Sequence, residues 1–523
     1  MHAPPASKCI VSRANKTVLV PATGRTTTIW PSAPTLTIHA SVYLLVPHDL
    51  PSTVTLRTLG YRLPNPMLYY YDWSGGTPFA VQRATCDMLT TNPRSYVLNA
   101  MGTGKTKATL WAWDYLRSNN LCGKLLVIAT LSTLHAVWGG EVFSTIPHRK
   151  VAILHGSKKK RLEALADPEA EIFVINHDGL RTVQEDIEAR TDIDTLVLDE
   201  LAVYRNNSQR SKSMRRFAQR YRYVFGLTGA PMPNSPTDVW AQAKIVTPET
   251  APKYYKHAEE MMMSRVNKYL LVPKHDATKT AFNMLQPSVR YQLDDVVELP
   301  EVSHHTLDIP LTAEQKDAYK KLKDAFQIQI RQETITAVNA AVAMGKLLQV
   351  AGGWVYAGDK TVALDNKGRT DTLIDLITAN ERKVLVFAPF IHTIQGIAPL
   401  LEKAGIETAI VHGGTSSSDR SDIFRLFQQT DKYHALVAHP QCLAHGLTLT
   451  ASDTIIWYLP TTSLDIYDQA NARISRVGQK HKQKVYHLCS TPVEKKIYAL
   501  LRSKANIQND LLTLLAEATE EAN

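Results

Sequence analysis

The chain of 523 residues is 44% hydrophobic and 21% charged, which is the composition of an ordinary soluble globular protein. This length allows about three domains. The formal net charge of +10 excludes an acidic protein and favours a polyanionic partner. It does not establish one, because many basic proteins bind no nucleic acid.

The apolar segments and the cysteines of the chain argue against further classes of protein. No segment approaches the roughly 18 uninterrupted apolar residues of a membrane span, and the N-terminus has no apolar core of signal-peptide length. The five cysteines are scattered, odd in number and without the spacing of zinc ligands, which disfavours a disulfide scaffold. We therefore expect a soluble, cytoplasmic protein.

Residues 1–75 are rich in Thr, Pro and β-branched residues. The alternation over Thr35–Leu44 is typical of short strands rather than helices. We predict a small β-rich accessory domain here, with Gly75–Gly76 as the hinge to the next domain.

Residues 76–245 show a strand–loop–helix pattern, which predicts a first parallel-sheet lobe. Its apolar runs are Leu125–Ile128, Ile172–Ile175 and Leu196–Leu198. Residues 246–365 are charged and helix-rich, as in Ala313–Leu322, and are predicted to form a helical bridge. A second lobe is predicted over 366–523, with C-terminal helices and strands at Val384–Phe387, Thr408–Val411, Leu436–Ala438 and Thr454–Trp457.

A phosphate-binding loop is predicted at Gly102-Thr103-Gly104-Lys105-Thr106, between an apolar run and a helical stretch. Glycines let backbone N–H groups close around a phosphate at a helix N-terminus. Lys105 would contact the outer phosphates of a nucleotide, and the Thr106 hydroxyl would bind Mg²⁺. The full pattern has glycine where Asn99 stands, and a chance turn is the alternative.

Two adjacent carboxylates, Asp199 and Glu200, directly follow an apolar strand. Asp199 is predicted to hold Mg²⁺ through its water shell, and Glu200 to polarise the attacking water. Acidic pairs are also common on surfaces, so this assignment depends on the phosphate loop. The Leu227–Pro231 segment follows another strand and either senses the nucleotide or forms a plain turn.

Arg473 and Arg476 are three residues apart, so on a helix they would share a face. An arginine supplied to a phosphoryl-transfer transition state is worth roughly 10³- to 10⁵-fold in rate. These two arginines are therefore predicted to complete catalysis; the alternative is a solvated basic helix.

Basic residues cluster in two places of the first lobe, and we predict that they contact the DNA backbone. The alternative is a solvated charged face. The predicted contacts are Arg205, Arg215, Arg216, Lys159 and Lys160.

Taken in order, these motifs resemble the Swi/Snf family of superfamily-two helicase-like ATPases. The likeness extends from about Pro78 to about Leu515. Its segments are Phe79–Arg83, Met101–Thr106, Asp199–Glu200 with Arg205–Asn206, Leu227–Asn234, Ser288–Tyr291 with Glu298–Pro300, Gly446–Asp453 and Gln469–Gln479.

The resemblance implies an α/β fold with two RecA-like lobes in tandem that clamp ATP and track along a duplex. It implies that Gln82, with Phe79, reads adenine and that Gly446 and Gln469 belong to the nucleotide site. The compact form is more similar to a bacterial or phage member than to a nucleosome remodeller. A bacterial or infected-host cytoplasm is therefore expected rather than a nucleus.

Some positions depart from the family pattern. Asn99-Ala100 replace an acidic pair before the phosphate loop, and Leu201-Ala202 stand where alanine and histidine are usual. The predicted function is an ATP-dependent DNA translocase or helicase that acts on duplex or branched DNA, with ATP and Mg²⁺. A catalytically inactive nucleic-acid scaffold and an RNA helicase remain alternatives. We expect a monomer that does not act at a membrane, and the sequence leaves its protein partners unidentified.

Overall fold

The computed structural model describes residues 9–266, 271–292, 295, 300–332, 337–357, 360–443, 448–476 and 479–503. The chain forms two compact units, Met1–Gln292 and Leu293–Asn523. In the part of the chain that is described, no helix has both the length and the apolar character needed to cross a membrane.

The first unit begins with a β-rich part, as the sequence predicts. Its strands form an antiparallel sheet in the order β1-β2-β4-β3. The run Thr35–Leu44 is divided between two of these strands by a tight turn at His39 and Ala40, whose φ angles are 44° and 64°. The elements are β1 (Ile10–Ser12), β2 (Thr17–Pro21), α1 (Gly24–Ile29), β3 (Thr35–Ile38), β4 (Ser41–Pro47), α2 (Leu50–Thr58) and α3 (Met67–Tyr70).

The junction at Gly75–Gly76 is packed against the rest of the first unit. A Cβ atom on Gly75 would lie 2.3 Å from the carbonyl oxygen of Ser144. The preceding carbonyl, that of Ser74, accepts a hydrogen bond of 2.8 Å from Trp111 Nε1. The predicted hinge is therefore an anchored segment rather than a free linker.

The main sheet of the first unit contains, among the described residues, seven strands in the order β13-β5-β10-β9-β6-β8-β7. Every pair in it is parallel. Its elements are α4 (Ala80–Thr91), β5 (Arg94–Val97), α5 (Lys105–Ser118), β6 (Lys124–Ala129), α6 (Gly140–Thr145), β7 (Val151–Leu154), α7 (Lys158–Leu165), β8 (Ile172–Asn176), α8 (Gln184–Glu188), β9 (Ile193–Asp199), α9 (Gln209–Ala218), β10 (Tyr223–Leu227), α10 (Val239–Val246), α11 (Tyr255–Met262), the hairpin of β11 (Met263–Arg265) and β12 (Leu271–Pro273), α12 (Ala277–Met284) and β13 (Ser288–Val289).

Both faces of this sheet are buried, which explains why its strands are continuous apolar runs. Along β6, Leu126 and Ile128 face one core, while Leu125 and Val127 face the other. In a parallel sheet all carboxyl ends lie at one edge, so the loops that follow β5, β8, β9 and β10 are brought together there.

The second unit contains a parallel sheet whose six described strands have the order β14-β21-β20-β17-β19-β18. With the first sheet it confirms the predicted α/β fold of two parallel-sheet lobes. Its elements are β14 (Val302–Asp308), α13 (Ala313–Gln332), α14 (Ala337–Gly352), the hairpin of β15 (Trp354–Ala357) and β16 (Lys360–Ala363), α15 (Lys367–Thr378), β17 (Lys383–Phe387), α16 (Ile391–Lys403), β18 (Thr408–Val411), α17 (Ser417–Gln429), β19 (Ala435–Ala438), β20 (Ser452–Trp457), α18 (Leu464–Asn471), β21 (Gln483–Cys489) and α19 (Pro492–Arg502).

The segment predicted as a helical bridge, 246–365, contributes to the cores of both units. Ala258 and Ala281, from α11 and α12, pack in a core of the first unit. Leu347 of α14 packs in a core of the second unit, and β14 is an edge strand of the second sheet.

A buried ion pair holds α15 to α19 in the second unit. Arg369 and Glu494 are joined at 2.7 Å, with side chains 1% and 0% exposed. Arg369 also donates to the carbonyl of Tyr458 at 2.6 Å, while Glu494 accepts from the backbone N–H of Ser490 at 2.8 Å. Both charges are therefore paired and hydrogen-bonded, as burial requires.

Replacing Arg369 with Met is expected to destabilise the second unit by about 3–5 kcal/mol, because it leaves the Glu494 carboxylate buried without its partner. Equilibrium urea denaturation of the full chain measures the effect. The matched control is Arg425→Met, which removes a pair of 3.1 Å to Asp422 with side chains 55% and 65% exposed. That change is expected to cost about 1 kcal/mol or less. Equal losses in the two variants would contradict the prediction.

Candidate functional site

The phosphate loop connects β5 to α5, as predicted. Gly102 and Gly104 have φ angles of 80° and 77°, in the left-handed region that favours glycine. A Cβ atom on Gly104 would also lie 2.2 Å from Gln82 Nε2, so a larger residue there would displace the side-chain amide of Gln82. Lys105 and Thr106 form the first turn of α5, where N–H groups without helical partners can bind an anion.

The Lys105 ammonium group lies over its own loop. Its Nζ donates to the carbonyl of Asn99 at 2.9 Å and to that of Ala100 at 3.1 Å. Phosphate oxygens could replace these carbonyls as acceptors, because a lysine side chain carries three donors on a flexible stem.

Gln82 ties α4 to the phosphate loop. The side chain is 4% exposed, and its Oε1 accepts from the backbone N–H of Phe79 at 2.9 Å. Its Nε2 lies 3.5 Å from the carbonyl of Thr103. Gln82 and Phe79 are thus beside the loop; their reading of adenine stays a prediction.

Asp199 and Glu200 lie at the carboxyl end of β9. Asp199 Oδ2 accepts from Trp138 Nε1 at 2.8 Å, and Oδ1 accepts from the backbone N–H of Glu200 at 3.1 Å. Burial raises the pKa of Asp199, while the hydrogen bond from Trp138 and the positive charge of Lys105 act in the opposite direction. The positive charge of Lys105 therefore favours the ionised form of the Asp199 carboxyl group.

Glu200 has a left-handed backbone, with φ 55° and ψ 55°, which is uncommon for a residue with a side chain. Such a conformation costs on the order of 1–3 kcal/mol and persists only where its surroundings enforce it. Thr228 Oγ1 donates to Glu200 Oε1 at 3.2 Å. The next residue, Gly229, packs on the phosphate loop, where an added Cβ would lie 3.5 Å from the Asn99 carbonyl. The segment 228–229 thus connects the acidic turn to the phosphate loop.

His177 lies among the loops at the carboxyl ends of the strands, and the sequence did not identify it as part of the site. It follows β8 and is 8% exposed. Its Nε2 lies 3.1 Å from the Asp199 carbonyl, and its Nδ1 lies 2.9 Å from the Tyr204 hydroxyl. Since the carbonyl can only accept, Nε2 carries a proton, and in the neutral ring Nδ1 accepts from the hydroxyl. His177 therefore supports the backbone of the acidic turn; its position after a buried strand was the available signal.

The oxygen atoms of Thr106 and Asp199 suit the coordination chemistry of Mg²⁺, a hard ion that prefers oxygen ligands and retains several waters. Each Asp199 oxygen accepts one hydrogen bond from the protein and has a further lone pair. Within the described residues no group of three or more His, Cys, Asp and Glu forms a closed metal cage. An ion held mainly by ATP and water fits this donor set.

In the second unit, Arg473 and Arg476 follow α18 instead of lying on it, because α18 ends at Asn471. The prediction that they share a helical face is wrong. Beyond the end of α18, the Arg473 carbonyl accepts from the Leu449 N–H at 3.0 Å.

The two arginines differ in burial. Arg473 is 1% exposed and donates from Nε to the carbonyl of Gln469 at 2.8 Å. Arg476 is half-buried, and its Nη1 lies 3.5 Å from Thr448 Oγ1. Gln469 itself donates to Asp465 at 2.9 Å, and Gly446 lies outside the described residues.

The basic residues predicted to contact DNA lie on three elements of the first unit. Lys159 and Lys160 are exposed on α7, and Arg216 is exposed on α9, where Arg215 is half-buried. Arg205 is half-buried and donates to the Ala202 carbonyl at 3.3 Å. The aromatic side chains between them, those of Tyr204, Phe217 and Tyr221, belong to the core.

Two family models match the chain. The SNF2-related domain matches residues 91–351, and the helicase conserved C-terminal domain matches residues 368–478. Together they span more than two thirds of the sequence and include the phosphate loop, the acidic turn and both arginines.

Curated relatives show the same likeness. Protein p41 of Acyrthosiphon pisum secondary endosymbiont phage 1 is 24% identical over 465 residues, with 83% of this chain and 98% of p41 covered. An uncharacterized ATP-dependent helicase of Mycoplasma pneumoniae is 22% identical, with 79% of this chain and 39% of the relative covered. The ATP-dependent DNA helicase DDM1 of Arabidopsis thaliana is also 22% identical, with 77% and 58% covered. The chain thus spans less than two thirds of the length of these two helicases.

Among solved structures, the SWI2/SNF2 ATPase core of Sulfolobus solfataricus in complex with dsDNA aligns at 21% identity and a TM-score of 0.41. The alignment covers 86% of this chain and 96% of that one. The matched family models and the ordered motifs decide the classification: the chain belongs to the SNF2-related family of helicase-like ATP hydrolases.

Proposed function

We propose that this protein is an ATP-dependent DNA translocase or helicase that moves along duplex or branched DNA. The observation that carries the proposal is the strained turn at Glu200, which Thr228 and Gly229 connect to the phosphate loop. A carboxylate held there can orient and polarise a water for attack on the terminal phosphate of ATP. Backbone strain of this kind clusters at functional sites.

In this proposal the first unit binds the nucleotide. The N–H groups between Gly102 and Thr106 surround the phosphates, and Lys105 exchanges its two loop carbonyls for phosphate oxygens. Thr106 and Asp199 would hold Mg²⁺, which when bound neutralises charge on the phosphates. Gln82 and Phe79 lie beside the loop and would contact adenine.

The second unit would supply positive charge to the same ATP. Arg473 and Arg476 would stabilise the charge that develops on the transferred phosphoryl group. Gln469 and Gly446 are proposed to complete the nucleotide site. Cycles of binding and hydrolysis would then move the units along the phosphates of DNA.

DNA as the partner is supported by the net charge of +10 and by the DNA helicase named among the relatives. We propose that the protein acts as a monomer in a bacterial or infected-host cytoplasm, in keeping with its phage relative.

The deciding experiment is ATP turnover by the full chain without nucleic acid and with single-stranded DNA, duplex DNA, branched DNA or RNA. We expect DNA to stimulate turnover, with duplex or branched DNA most effective. Stronger stimulation by RNA would identify an RNA helicase. No turnover under any condition would identify a nucleic-acid scaffold, and the proposal would be abandoned.

The double variant Lys160→Ala/Arg216→Ala is expected to weaken duplex binding at every sequence tested. It should reduce the slope of log K against log salt by about 2, since each phosphate contact contributes about 0.9. Fluorescence anisotropy over a salt series measures this slope. The control is Arg220→Ala, because Arg220 is already engaged with the Glu188 carbonyl at 2.6 Å. An unchanged slope in the double variant would remove these two residues from the DNA surface.

A further inference from the structure

Asn99 lies between three segments of the first unit and is 2% exposed. Its Nδ2 donates to Thr85 Oγ1 on α4 at 3.1 Å, and its Oδ1 accepts from the backbone N–H of Tyr291 at 3.1 Å. Its backbone carbonyl accepts from Lys105 Nζ at 2.9 Å. One buried residue thus contacts the helix that carries Gln82, the phosphate-binding lysine and the chain that follows β13.

The segment 287–291 contains β13, the outermost strand of the first sheet, and runs beside β5 as far as the phosphate loop. Tyr96 and Leu98 donate their N–H groups to the carbonyls of Pro287 and Val289 at 3.0 and 2.9 Å. Ala100, inside the loop, donates to the Tyr291 carbonyl at 2.8 Å. With the bond from Tyr291 to Asn99, the backbone of Tyr291 is held on both sides by the two residues whose carbonyls bind Lys105.

After Gln292 the chain enters the second unit. The segment 287–291 is therefore among the last residues of the first unit along the chain, and its end is hydrogen-bonded to the phosphate loop. A movement of the peptide between residues 99 and 100 would be transmitted directly to Tyr291, through the two hydrogen bonds that join Tyr291 to Asn99 and Ala100.

We propose that Asn99 is a positioning residue that transmits occupation of the phosphate loop to the segment 287–291. The inference rests on the proposed function in one respect, the binding of a nucleoside triphosphate by this loop. When Lys105 turns to phosphate, the Asn99 carbonyl loses the bond from Lys105, and the Ala100 carbonyl keeps its bond of 2.9 Å from Thr103 Oγ1. The peptide between residues 99 and 100 is then free to readjust. Tyr291, bonded to the same two residues, follows.

The neighbours of Asn99 specify an amide. Thr85 Oγ1 donates to the Val81 carbonyl at 2.7 Å, so towards Asn99 it presents a lone pair and needs a donor. A carboxylate at position 99 could accept from Tyr291 but could not donate to Thr85. Leucine, of similar volume, would lose both hydrogen bonds.

Hydrogen exchange of the full chain, with and without a saturating non-hydrolysable ATP analogue, tests the proposal. In the wild-type protein we expect the analogue to change the exchange rates of the Ala100 and Tyr291 amides by about fivefold or more, the lower end of coupling between sites. In Asn99→Leu the response at Tyr291 should be lost. Analogue binding is measured separately in each variant to ensure saturation.

The matched control is Asn65→Leu. Asn65 is also buried, at 0% exposure, and makes comparable bonds to Thr90 at 2.8 Å and from the Met67 N–H at 2.9 Å. Its contacts lie away from the phosphate loop, so the exchange response should match that of the wild type. A general loss of stability would affect both leucine variants, whereas a coupling role affects only Asn99→Leu.

Should Asn99→Leu fail to fold, Tyr291→Pro removes the same hydrogen bond from the other partner. The reporter is then the amide of Gln292, the next residue, which should lose the response that it shows in the wild-type protein. A wild-type response in either folded variant would overturn the proposal, as would the absence of any response in the wild-type protein. ATP turnover is scored independently. A protein that shows the exchange response without hydrolysis refutes the proposed function, and one that hydrolyses ATP without the response refutes the role of Asn99.

Discussion

Glu200→Gln is expected to lower the ATP turnover number by about 10²- to 10⁴-fold, the usual contribution of a general base, while ATP still binds. The substitution is nearly isosteric, and the amide oxygen can still accept from Thr228 Oγ1, which lies 3.2 Å from the carboxylate. The turn should therefore keep its conformation and lose only the negative charge that polarises water. Phosphate release at saturating ATP measures turnover, and equilibrium binding of a fluorescent ATP analogue measures affinity.

Lys105→Ala is the companion variant and should lose both binding and turnover, because it removes the cation that meets the phosphates. The matched control for charge is Glu163→Gln on α7, where the carboxylate is 62% exposed and lies 4.0 Å from Lys159. That control should behave as the wild type. Unchanged turnover in either Glu200→Gln or Lys105→Ala would contradict the catalytic role proposed for the acidic turn and the phosphate loop.

Most of the two sheets could be predicted from the sequence because their strands are buried on both faces. The apolar runs at 125–128, 172–175 and 408–411 all lie within observed strands. The turn at His39 and Ala40 could not be predicted, since two-residue turns with positive φ usually carry Asn or Gly. Neither side chain here signals a left-handed backbone, so the sequence predicted short strands without showing where one ends and the next begins.

The acidic pair and the phosphate loop were visible because each is contiguous and directly follows a strand. His177 and Asn99 were not recognisable as parts of the site, because their partners are distant in sequence. Asn99 looked only like a departure from the glycine of the full pattern, yet its side chain reaches Tyr291, which is 192 residues away. The same difficulty applies to Arg473, which follows the end of α18 and whose carbonyl accepts from the distant Leu449 N–H.

Arg476→Ala is expected to reduce DNA-stimulated ATP turnover by about 10³- to 10⁵-fold, the effect of removing an arginine from a phosphoryl-transfer transition state. Arg476 is half-buried; its Nε donates to the Ala472 carbonyl at 3.1 Å, and its Nη1 lies 3.5 Å from Thr448 Oγ1. The folded second unit should therefore tolerate its loss, and turnover can be compared at equal stability. Arg476→Lys should restore little, because an ammonium group lacks the planar fork of donors.

Arg473→Ala should cause a comparable loss of turnover and also lower the melting temperature, because this side chain is 1% exposed and packed within the second unit. The control is Arg425→Ala on α17, an exposed arginine that forms an ion pair with Asp422 on the protein surface. It should change neither quantity. If Arg476→Ala hydrolysed ATP at the wild-type rate, the second unit would have no catalytic arginine at this position. Hydrolysis would then depend on the first unit, where the charged side chains of Lys105 and Glu200 follow strands of the same sheet.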